Sequence, residues 1–289
     1  LSADFPLQAF LSVLFFVWGA CIGSFLNVCI YRIPRELSVV KPRSYCPNCR
    51  HPIEWYNNIP LVSFLVLRAR CRHCGGRITP RYVLVELLVA VLFLLVWLKF
   101  DNLTGLPPLR LVPISDWALV PVYWLMVSGL VLGTFVDFEH LIIPDRVTLG
   151  GIAAGLILSA LVPSMHGASG LLMGLMGSAV GAAAGWGILW GVGYLGSIVF
   201  KKDAMGFGDV KLLGAIGAFL GWKAVLFTIA ASSLVGSIVG ITLVATKRKE
   251  MQSRIPYGPY LALAAIVLIF LGPALWDGYL NLFPQPDDP

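Results

Sequence analysis

Long apolar stretches separated by shorter polar segments dominate this sequence. A helix needs roughly 20 apolar residues, with a range of about 17 to 25, to cross the hydrocarbon core of a bilayer. We predict a membrane helix in each of eight stretches, namely residues 7–30, 82–98, 117–136, 147–162, 167–200, 212–222, 224–246 and 255–276. The sixth stretch is too short to span, so we expect a half-span or a tilted helix joined to the next. The predicted class is an all-α polytopic membrane protein with about eight transmembrane helices.

The composition indicates the same class of protein. Of the 289 residues, 58% are hydrophobic and 12% are charged, whereas soluble domains carry about 25% charged residues. The first apolar run is too long for the core of a cleaved signal peptide, and it lacks a basic leading segment. We therefore expect this run to stay in the membrane as the first transmembrane helix, at residues 1–30.

The basic residues predict the orientation of the chain. With eight crossings, one side of the membrane receives 18 of the 21 Lys and Arg residues, in segments 31–81, 137–146, 200–211 and 246–254. The other side receives Lys99, Arg110 and Lys223. Because basic residues favour the cytoplasmic side, that first side is predicted to be cytoplasmic and both termini outside. The same asymmetry explains the net charge of +6, so we expect lipid and no nucleic acid as a partner.

Two Cys-x-x-Cys pairs mark the polar segment after the first helix. The pairs are Cys46 with Cys49 and Cys71 with Cys74, and 21 residues lie between them. Such paired knuckles are typical of tetrahedral zinc sites. Disulfides are disfavoured in the cytoplasm, and a redox pair usually occurs singly. Four thiolates leave no open coordination position, which predicts a structural Zn²⁺ with His51 and His73 as bystanders.

Two aspartates lie where an apolar helix meets a polar loop. Asp137 directly follows the third apolar run, and Asp209 precedes the run that begins at Leu212. Ionisable residues within or at the edge of the membrane are candidates for function. A helix C-terminus disfavours the charge of Asp137, and a helix N-terminus stabilises that of Asp209. We therefore predict an aspartyl hydrolase pair, in which Asp209 takes a proton from water and Asp137 donates one to the substrate carbonyl oxygen.

Several neighbouring residues have competing interpretations. Gly206 and Gly208 either form a simple turn or adopt conformations closed to other residues and let the backbone approach a substrate strand. Asp145 competes with Asp137 as the first aspartate, but it precedes an apolar run and is best interpreted as an N-cap. Glu86 lies within the second stretch, where a donor such as Arg81 or a backbone N–H is expected to satisfy it.

Glycines recur along the fifth and sixth stretches. Small residues allow helices to pack closely in lipid, so we predict packing faces, with a hinge or a water-filled cleft as the alternative. The residues are Gly177, Gly181, Gly185, Gly187 and Gly191, followed by Gly217 and Gly221.

An ordered set of motifs over nearly the whole chain resembles the bacterial type IV prepilin peptidases. The motifs are Gly23–Val28 with Tyr31, Arg32 and Pro34, the two cysteine knuckles, Asn58–Ile59–Pro60, Val136–Asp137 to Pro144–Asp145, and Gly206–Phe207–Gly208–Asp209. The resemblance implies an inner-membrane aspartyl protease of the Gly-x-Gly-Asp type, with Asp137 and Asp209 as the catalytic pair and the four cysteines as zinc ligands. It also implies a cytoplasmic zinc-binding loop domain at 31–81 and a transmembrane peptidase bundle at 82–289.

The resemblance further implies the substrates and a second activity. Prepilins and pseudopilins with a basic leader would be cut at the cytoplasmic face, and acids such as Glu139, Asp145 and Asp203 are expected to attract the leader. The new N-terminus would be methylated by S-adenosylmethionine. The sequence has no Gly-x-Gly-x-x-Gly motif in a βαβ unit, and residues Gly23–Asn27 with the cysteine loop are the candidate donor site.

Two other functions are compatible with the residues alone. A proton-coupled transporter would also use intramembrane acids and glycine-broken helices, but it predicts paired internal repeats, which this sequence does not show. A zinc-stabilised membrane assembly factor without catalysis is the other alternative.

Overall fold

The protein is described by a computed structural model that covers residues 4–100, 117–201, 205–246 and 256–280. Within these ranges the regular structure is helical apart from two isolated β-bridges. The α-helices are α1 (Asp4–Arg32), α2 (Val62–Val66), α3 (Arg81–Phe100), α4 (Leu119–His140), α5 (Asp145–Leu161), α6 (Leu171–Phe200), α7 (Phe207–Leu220), α8 (Trp222–Ala245) and α9 (Gly258–Leu280). The prediction of an all-α protein is confirmed.

A helix occupies each of the eight predicted stretches, but the count of eight crossings is not confirmed. In the described ranges, five helices are long and apolar enough to cross a membrane, namely α1, α3, α4, α6 and α8. Helix α5 has 17 residues and α7 has 14, so they are about 25 and 21 Å long. Both are shorter than the hydrocarbon core of a bilayer, which is about 30 Å thick. The helix α7 is joined to α8 through Gly221, whose φ is 80°.

The chain divides into two compact units, and the first is held together by aromatic side chains. It contains α1, the cysteine loop, α3 and Val120–His140 of α4. The Phe15 ring lies 4.7 Å from that of Trp97 and 4.8 Å from that of Trp124. Phe93 stacks on Trp124 at 4.9 Å, and the Trp124 indole N–H donates to the Phe93 carbonyl at 3.0 Å. These aromatic contacts join all three long helices of the unit. Helix α1 also packs closely on α3 through Gly19 and Gly23, where an added Cβ would overlap α3 backbone atoms.

The second unit, which contains α5 to α9, is packed through glycines. Gly181 of α6 lies against the backbone of Gly217 of α7, and Gly185 lies against the carbonyl of Leu213, so that an added Cβ would overlap backbone atoms. The predicted packing face is confirmed at these positions. It is wrong for Gly187 and Gly191, which face open space. Close packing on α6 explains why α7 is buried along nearly its whole length.

Candidate active site and metal centre

The loop between α1 and α3 contains two turns of the same design. In the first turn the Arg50 N–H donates to the Cys46 carbonyl at 2.8 Å, and the Cys46 N–H donates to the His51 carbonyl at 2.9 Å. The second turn repeats both bonds around Cys71, at 2.9 and 2.8 Å. In both turns the residue after the second cysteine, Arg50 or Gly75, has a positive φ. Each turn therefore folds its cysteine pair back to one side.

The four thiols meet in one cluster. The sulfur atoms of Cys46, Cys49, Cys71 and Cys74 all lie within 4.8 Å of one another, and those of Cys46 and Cys74 are 3.9 Å apart. Tetrahedral zinc with bonds of about 2.3 Å places its sulfur ligands about 3.8 Å apart. Backbone N–H groups of Cys74 and His73 donate to the Cys71 sulfur and lower the pKa of that thiol to about 6. This cluster of free thiols can hold a metal ion.

Buried polar groups fasten the loop to the helices. The guanidinium of Arg32, at the end of α1, donates to the carbonyls of Ser38 and Pro42, both at 2.8 Å. The Leu61 N–H donates to Glu86 Oε2 of α3 at 2.8 Å. The expectation that a backbone group satisfies Glu86 is thereby confirmed, whereas Arg81 forms its ion pair with Glu139.

A cavity of about 260 Å³ lies between this loop and the adjoining parts of α1 and α3. The Nδ2 of Asn27 donates to the Tyr82 carbonyl at 2.9 Å, while its buried Oδ1 has no hydrogen-bond partner. The lining includes Ser24, Asn27, Tyr31, Tyr82 and Glu86. The expectation for Gly23–Asn27 rested on resemblance alone, and the contributions of Tyr82 and Glu86 were missed because α3 lies about 55 residues away along the chain. The sequence signal that could have identified them is an acidic residue in an apolar stretch, one helical turn after a tyrosine.

Asp137 lies in the last turn of α4 in the first unit. It is 5% exposed, and Val136 beside it is fully buried, whereas Phe138 is 56% exposed. The helix end therefore turns the carboxyl-bearing face inward. The predicted position at a helix C-terminus is confirmed.

Asp209 lies in the first turn of α7 in the second unit. It is 9% exposed, and its N–H donates to the Gly206 carbonyl at 3.1 Å. The Phe207 ring packs edge-on against Trp186 with the ring centres 5.5 Å apart. The predicted position near a helix N-terminus is confirmed, with the helix beginning before Leu212. Whether Asp137 and Asp209 meet remains a prediction from the sequence.

The two glycines of Gly206–Phe207–Gly208 provide space rather than unusual backbone angles. Gly206 has φ −70° and ψ 132°, which any residue can adopt, so the expectation of conformations closed to other residues is wrong there. A Cβ at Gly206 would lie 3.0 Å from Asp209 Oδ2, and a Cβ at Gly208 would lie 3.3 Å from that of Ile143. The glycines therefore make room for the Asp209 carboxylate and for the buried Ile143.

Asp145 is not an N-cap. Pro144 occupies that position, and Asp145 is the first residue of α5. Its side chain is 61% exposed and forms an ion pair with Lys211 at 2.6 Å. Both Asp145 and Glu139 are thus neutralised by basic partners, which weakens the expectation that they attract a basic leader. Asp203 lies outside the described residues.

Two family models together match most of the chain. The bacterial peptidase A24 N-terminal domain matches residues 17–100, which contain the four cysteines, and the type IV leader peptidase family matches residues 124–241, which contain both aspartates. No solved structure matches the chain.

Curated relatives are similar to most of this chain. A protein of Aeromonas salmonicida (strain A449) is named prepilin leader peptidase/N-methyltransferase. It is 35% identical over an alignment of 296 residues, gaps included, that covers 93% of each chain. A protein of the same name from Myxococcus xanthus (strain DK1622) is 42% identical over 238 residues, which cover 82% of this chain and 64% of the relative. A type 4 prepilin-like proteins leader peptide-processing enzyme of Escherichia coli O78:H11 is 32% identical, with 91% of this chain and 95% of the relative covered.

Proposed function

Because this chain belongs to the type IV leader peptidase family, we propose that it cleaves the leader from type IV prepilins and pseudopilins and methylates the new N-terminal residue. The observation that carries the proposal is the similarity to relatives named for both activities, over 93% of this chain in one case. A transporter or a non-catalytic assembly factor is not favoured, because neither agrees with those names.

For cleavage, Asp137 and Asp209 are the catalytic pair. Asp209 is the ionised partner, since the first turn of a helix stabilises a negative charge. It takes a proton from the water that attacks the peptide carbonyl. Asp137, in the last turn of α4, is the protonated partner and donates to the carbonyl oxygen. The burial of both carboxyl groups supports these roles, because the local surroundings of a carboxyl group held away from bulk water set its protonation state.

Cleavage takes place at the cytoplasmic face of the inner membrane, with both termini of the chain outside. The support is the asymmetry of the basic residues, of which the cysteine loop and its flanks at 31–81 carry 10. A prepilin leader would remain on that side while its apolar helix lies in the bilayer.

The methyl donor S-adenosylmethionine binds in the cavity below the cysteine loop. The donor supplies a methyl group on a positively charged sulfur, and it carries hydroxyl and amino groups that need acceptors. Glu86 and the unpartnered Oδ1 of Asn27 offer such acceptors. The volume of about 260 Å³ is close to the lower limit of about 300 Å³ for small-molecule sites.

The four thiolates hold a structural Zn²⁺. The support is the sulfur spacing of 3.9 Å and the small amount of regular structure in the loop, which a metal ion would compensate. Chelation of zinc from the purified protein should expose the loop at 31–81 to limited proteolysis, and added Zn²⁺ should restore its resistance. A loop that stays resistant in metal-free protein would contradict this role.

The experiment that tests the proposed function uses the purified chain in detergent with a prepilin and methyl-labelled S-adenosylmethionine. The expected product is a shortened pilin that carries the label. An intact precursor would overturn the proposal, and shortened pilin without label would leave only the peptidase.

A variant tests the donor site separately. Glu86→Gln keeps an oxygen that accepts the Leu61 N–H, so the loop should fold, but the negative charge is lost. We expect about a tenfold higher KM for S-adenosylmethionine, the equivalent of about 1.4 kcal/mol, with unchanged cleavage. An unchanged KM would remove Glu86 from the donor site.

A further inference from the structure

A second group of potential metal ligands lies beside the cysteine cluster. The rings of His51 and His73 lie 3.5 Å apart between their centres. Glu54 Oε1 lies 3.4 Å from Nε2 of His73 and 3.8 Å from Nε2 of His51. One ligand atom from each of the three residues lies within 4.8 Å of the others. The residues come from both knuckles and from the segment between them.

The separations between Glu54 Oε1 and the two imidazole nitrogens are close to those around a bound transition-metal ion. Tetrahedral zinc with bonds of about 2.0 to 2.1 Å to nitrogen and oxygen places its ligand atoms about 3.4 Å apart. Two of the three separations in the cluster, 3.4 and 3.8 Å, are close to that value. The ring centres are 3.5 Å apart, whereas two imidazoles on one tetrahedral ion have centres about 5 Å apart, so one ring has to turn when the ion binds. Two histidines and one glutamate are also a ligand set that proteins use for zinc with one position left open.

The glutamate is oriented for this role by a neighbour. Asn57 Nδ2 donates to Glu54 Oε2 at 2.8 Å, so Oε1 faces the two imidazoles. Hydrogen bonds of this kind to a ligating carboxylate are a common feature of metal sites. The side chains of His51, His73 and Glu54 are 45, 42 and 34% exposed, which gives an ion access from solvent.

The fold of the knuckles does not itself require these histidines. The repeated hydrogen bonds allow the two turns to be aligned. In this alignment Gly76 of the second turn corresponds to His51 of the first. The position of His73, two residues after Cys71, is taken by Asn48 after Cys46. The two imidazoles therefore come from non-equivalent positions, and the symmetry of the turns does not explain why they meet.

We propose that His51, Glu54 and His73 bind a second divalent metal ion of borderline softness, such as Zn²⁺, separate from the ion of the four thiolates. Imidazole and carboxylate ligands suit such ions. The four cysteines complete their own coordination shell, so the second site shares no ligand with it. All three residues line the cavity of about 260 Å³, and the open coordination position is available to a molecule bound there. The proposal does not depend on the proposed cleavage or methylation, but the expected count of two ions rests on the Zn²⁺ proposed for the four thiolates.

The test is the number of metal ions bound per chain. Full-length protein in detergent is dialysed to equilibrium against buffered micromolar free Zn²⁺, and zinc is measured by mass spectrometry. We expect two ions per chain in the wild-type protein and one in His73→Ala and in Glu54→Gln. His166→Ala is the matched control, because it removes a histidine of the second unit, and it should keep two ions.

A Co²⁺ titration identifies which site is lost. Thiolate ligation gives an intense charge-transfer band, and this band should be unchanged in His73→Ala and Glu54→Gln while one equivalent of Co²⁺ no longer binds. An intact band also shows that the variant loop is folded. One ion per chain in the wild-type protein would overturn the proposal, as would a variant that loses the thiolate band together with its metal.

Discussion

The two units of this protein differ in the side chains that lie between their helices. In the first unit, Phe15, Phe93, Trp97 and Trp124 fill the space between helices. In the second unit, the backbones of α6 and α7 touch at Gly181 and Gly217, with no side chain between them. Lipid is as apolar as these side chains, so the association of membrane helices depends on close packing rather than on escape from water. The second unit reaches close packing by omitting side chains. The first combines large aromatic side chains with a close approach of α1 to α3 at Gly19 and Gly23, where an added Cβ would overlap backbone atoms.

The difference bears on how each carboxylate is held. Asp137 lies on α4, which joins the aromatic unit, whereas Asp209 lies on α7, which the glycine contacts enclose. The family model of the peptidase begins at residue 124 and thus includes the part of α4 that packs with α1 and α3. We therefore expect removal of aromatic volume to disturb the unit that contains Asp137, and added volume at Gly181 to disturb the packing of the helix that contains Asp209.

The largest effect is expected from the carboxylates themselves. Asp137→Asn and Asp209→Asn should each reduce prepilin cleavage by more than about 1,000-fold, because general acid–base catalysis contributes about 10²- to 10⁴-fold and two roles fail together. The measurement is kcat/KM for a prepilin in detergent. Methylation of a pilin that is already cleaved should continue in both variants.

The matched control for these variants is Asp145→Asn. Asp145 is exposed and paired with Lys211, so its variant should cleave within about threefold of the wild-type rate, as expected for an exposed surface pair. Equal losses at Asp145 and Asp137 would contradict the assignment of the first catalytic aspartate. Full activity in an Asp137→Asn, Asp209→Asn double variant would contradict the hydrolase mechanism altogether.

The next largest effect is expected where a methyl group would meet backbone. Gly181→Ala would push its Cβ into the Gly217 carbonyl, and because backbone yields poorly we expect a loss of about 3 kcal/mol, the upper range for overpacking. The unfolding temperature in detergent should fall, and cleavage should fall with it as α7 moves.

The control for the Gly181 variant lies on the same helix. Gly187 faces open space, so Gly187→Ala meets no obstacle. It should be neutral or stabilising by up to about 1 kcal/mol, because alanine is the better helix former. Equal destabilisation by the two variants would show that helix α6 does not pack on α7 through this face.

The sequence predicted the helices and the cysteine cluster because both depend on local patterns. An apolar run determines a helix in lipid, and paired Cys-x-x-Cys turns direct their thiols by local hydrogen bonds such as that from Arg50 to Cys46. The glycine repeat predicted which helix would pack closely, but not which face. Gly181 and Gly187 are equally small, and only the position of α7 distinguishes them.

Features that depend on distant residues could not be predicted from the sequence. Pro144 and Asp145 both fit the start of a helix, and the choice of Pro144 as the N-cap frees Asp145 to pair with Lys211, 66 residues away. The cavity needs α1, α3 and the loop together. The contact between His51 and His73 also depends on the fold of the whole loop. These histidines were predicted to be bystanders because the four thiolates complete a site without them.

In the first unit, loss of aromatic volume should be damaging. Phe93→Ala removes the ring that stacks on Trp124 at 4.9 Å. Lipid and core are similarly apolar, so the transfer term is small, and the cavity term alone predicts a loss of about 2 kcal/mol. Thermal unfolding in detergent measures it, and Phe93→Leu should recover more than half of the loss. A fully stable Phe93→Ala variant would show that the aromatic contacts do not hold the unit.

The smallest effect is expected from the ion pair between Lys211 and Asp145. The Asp145 side chain is 61% exposed, and water and salt screen such a pair. Lys211→Met keeps the aliphatic part of the side chain and removes the ammonium group, which lies 5.0 Å from the centre of the Phe207 ring, so the charge is lost together with its contacts to Asp145 and Phe207. We expect a destabilisation below about 1 kcal/mol that disappears in high salt, with unfolding temperature as the measurement. A larger loss that persists in high salt would mean that Lys211 holds the first turn of α7, and hence Asp209, by more than its charge.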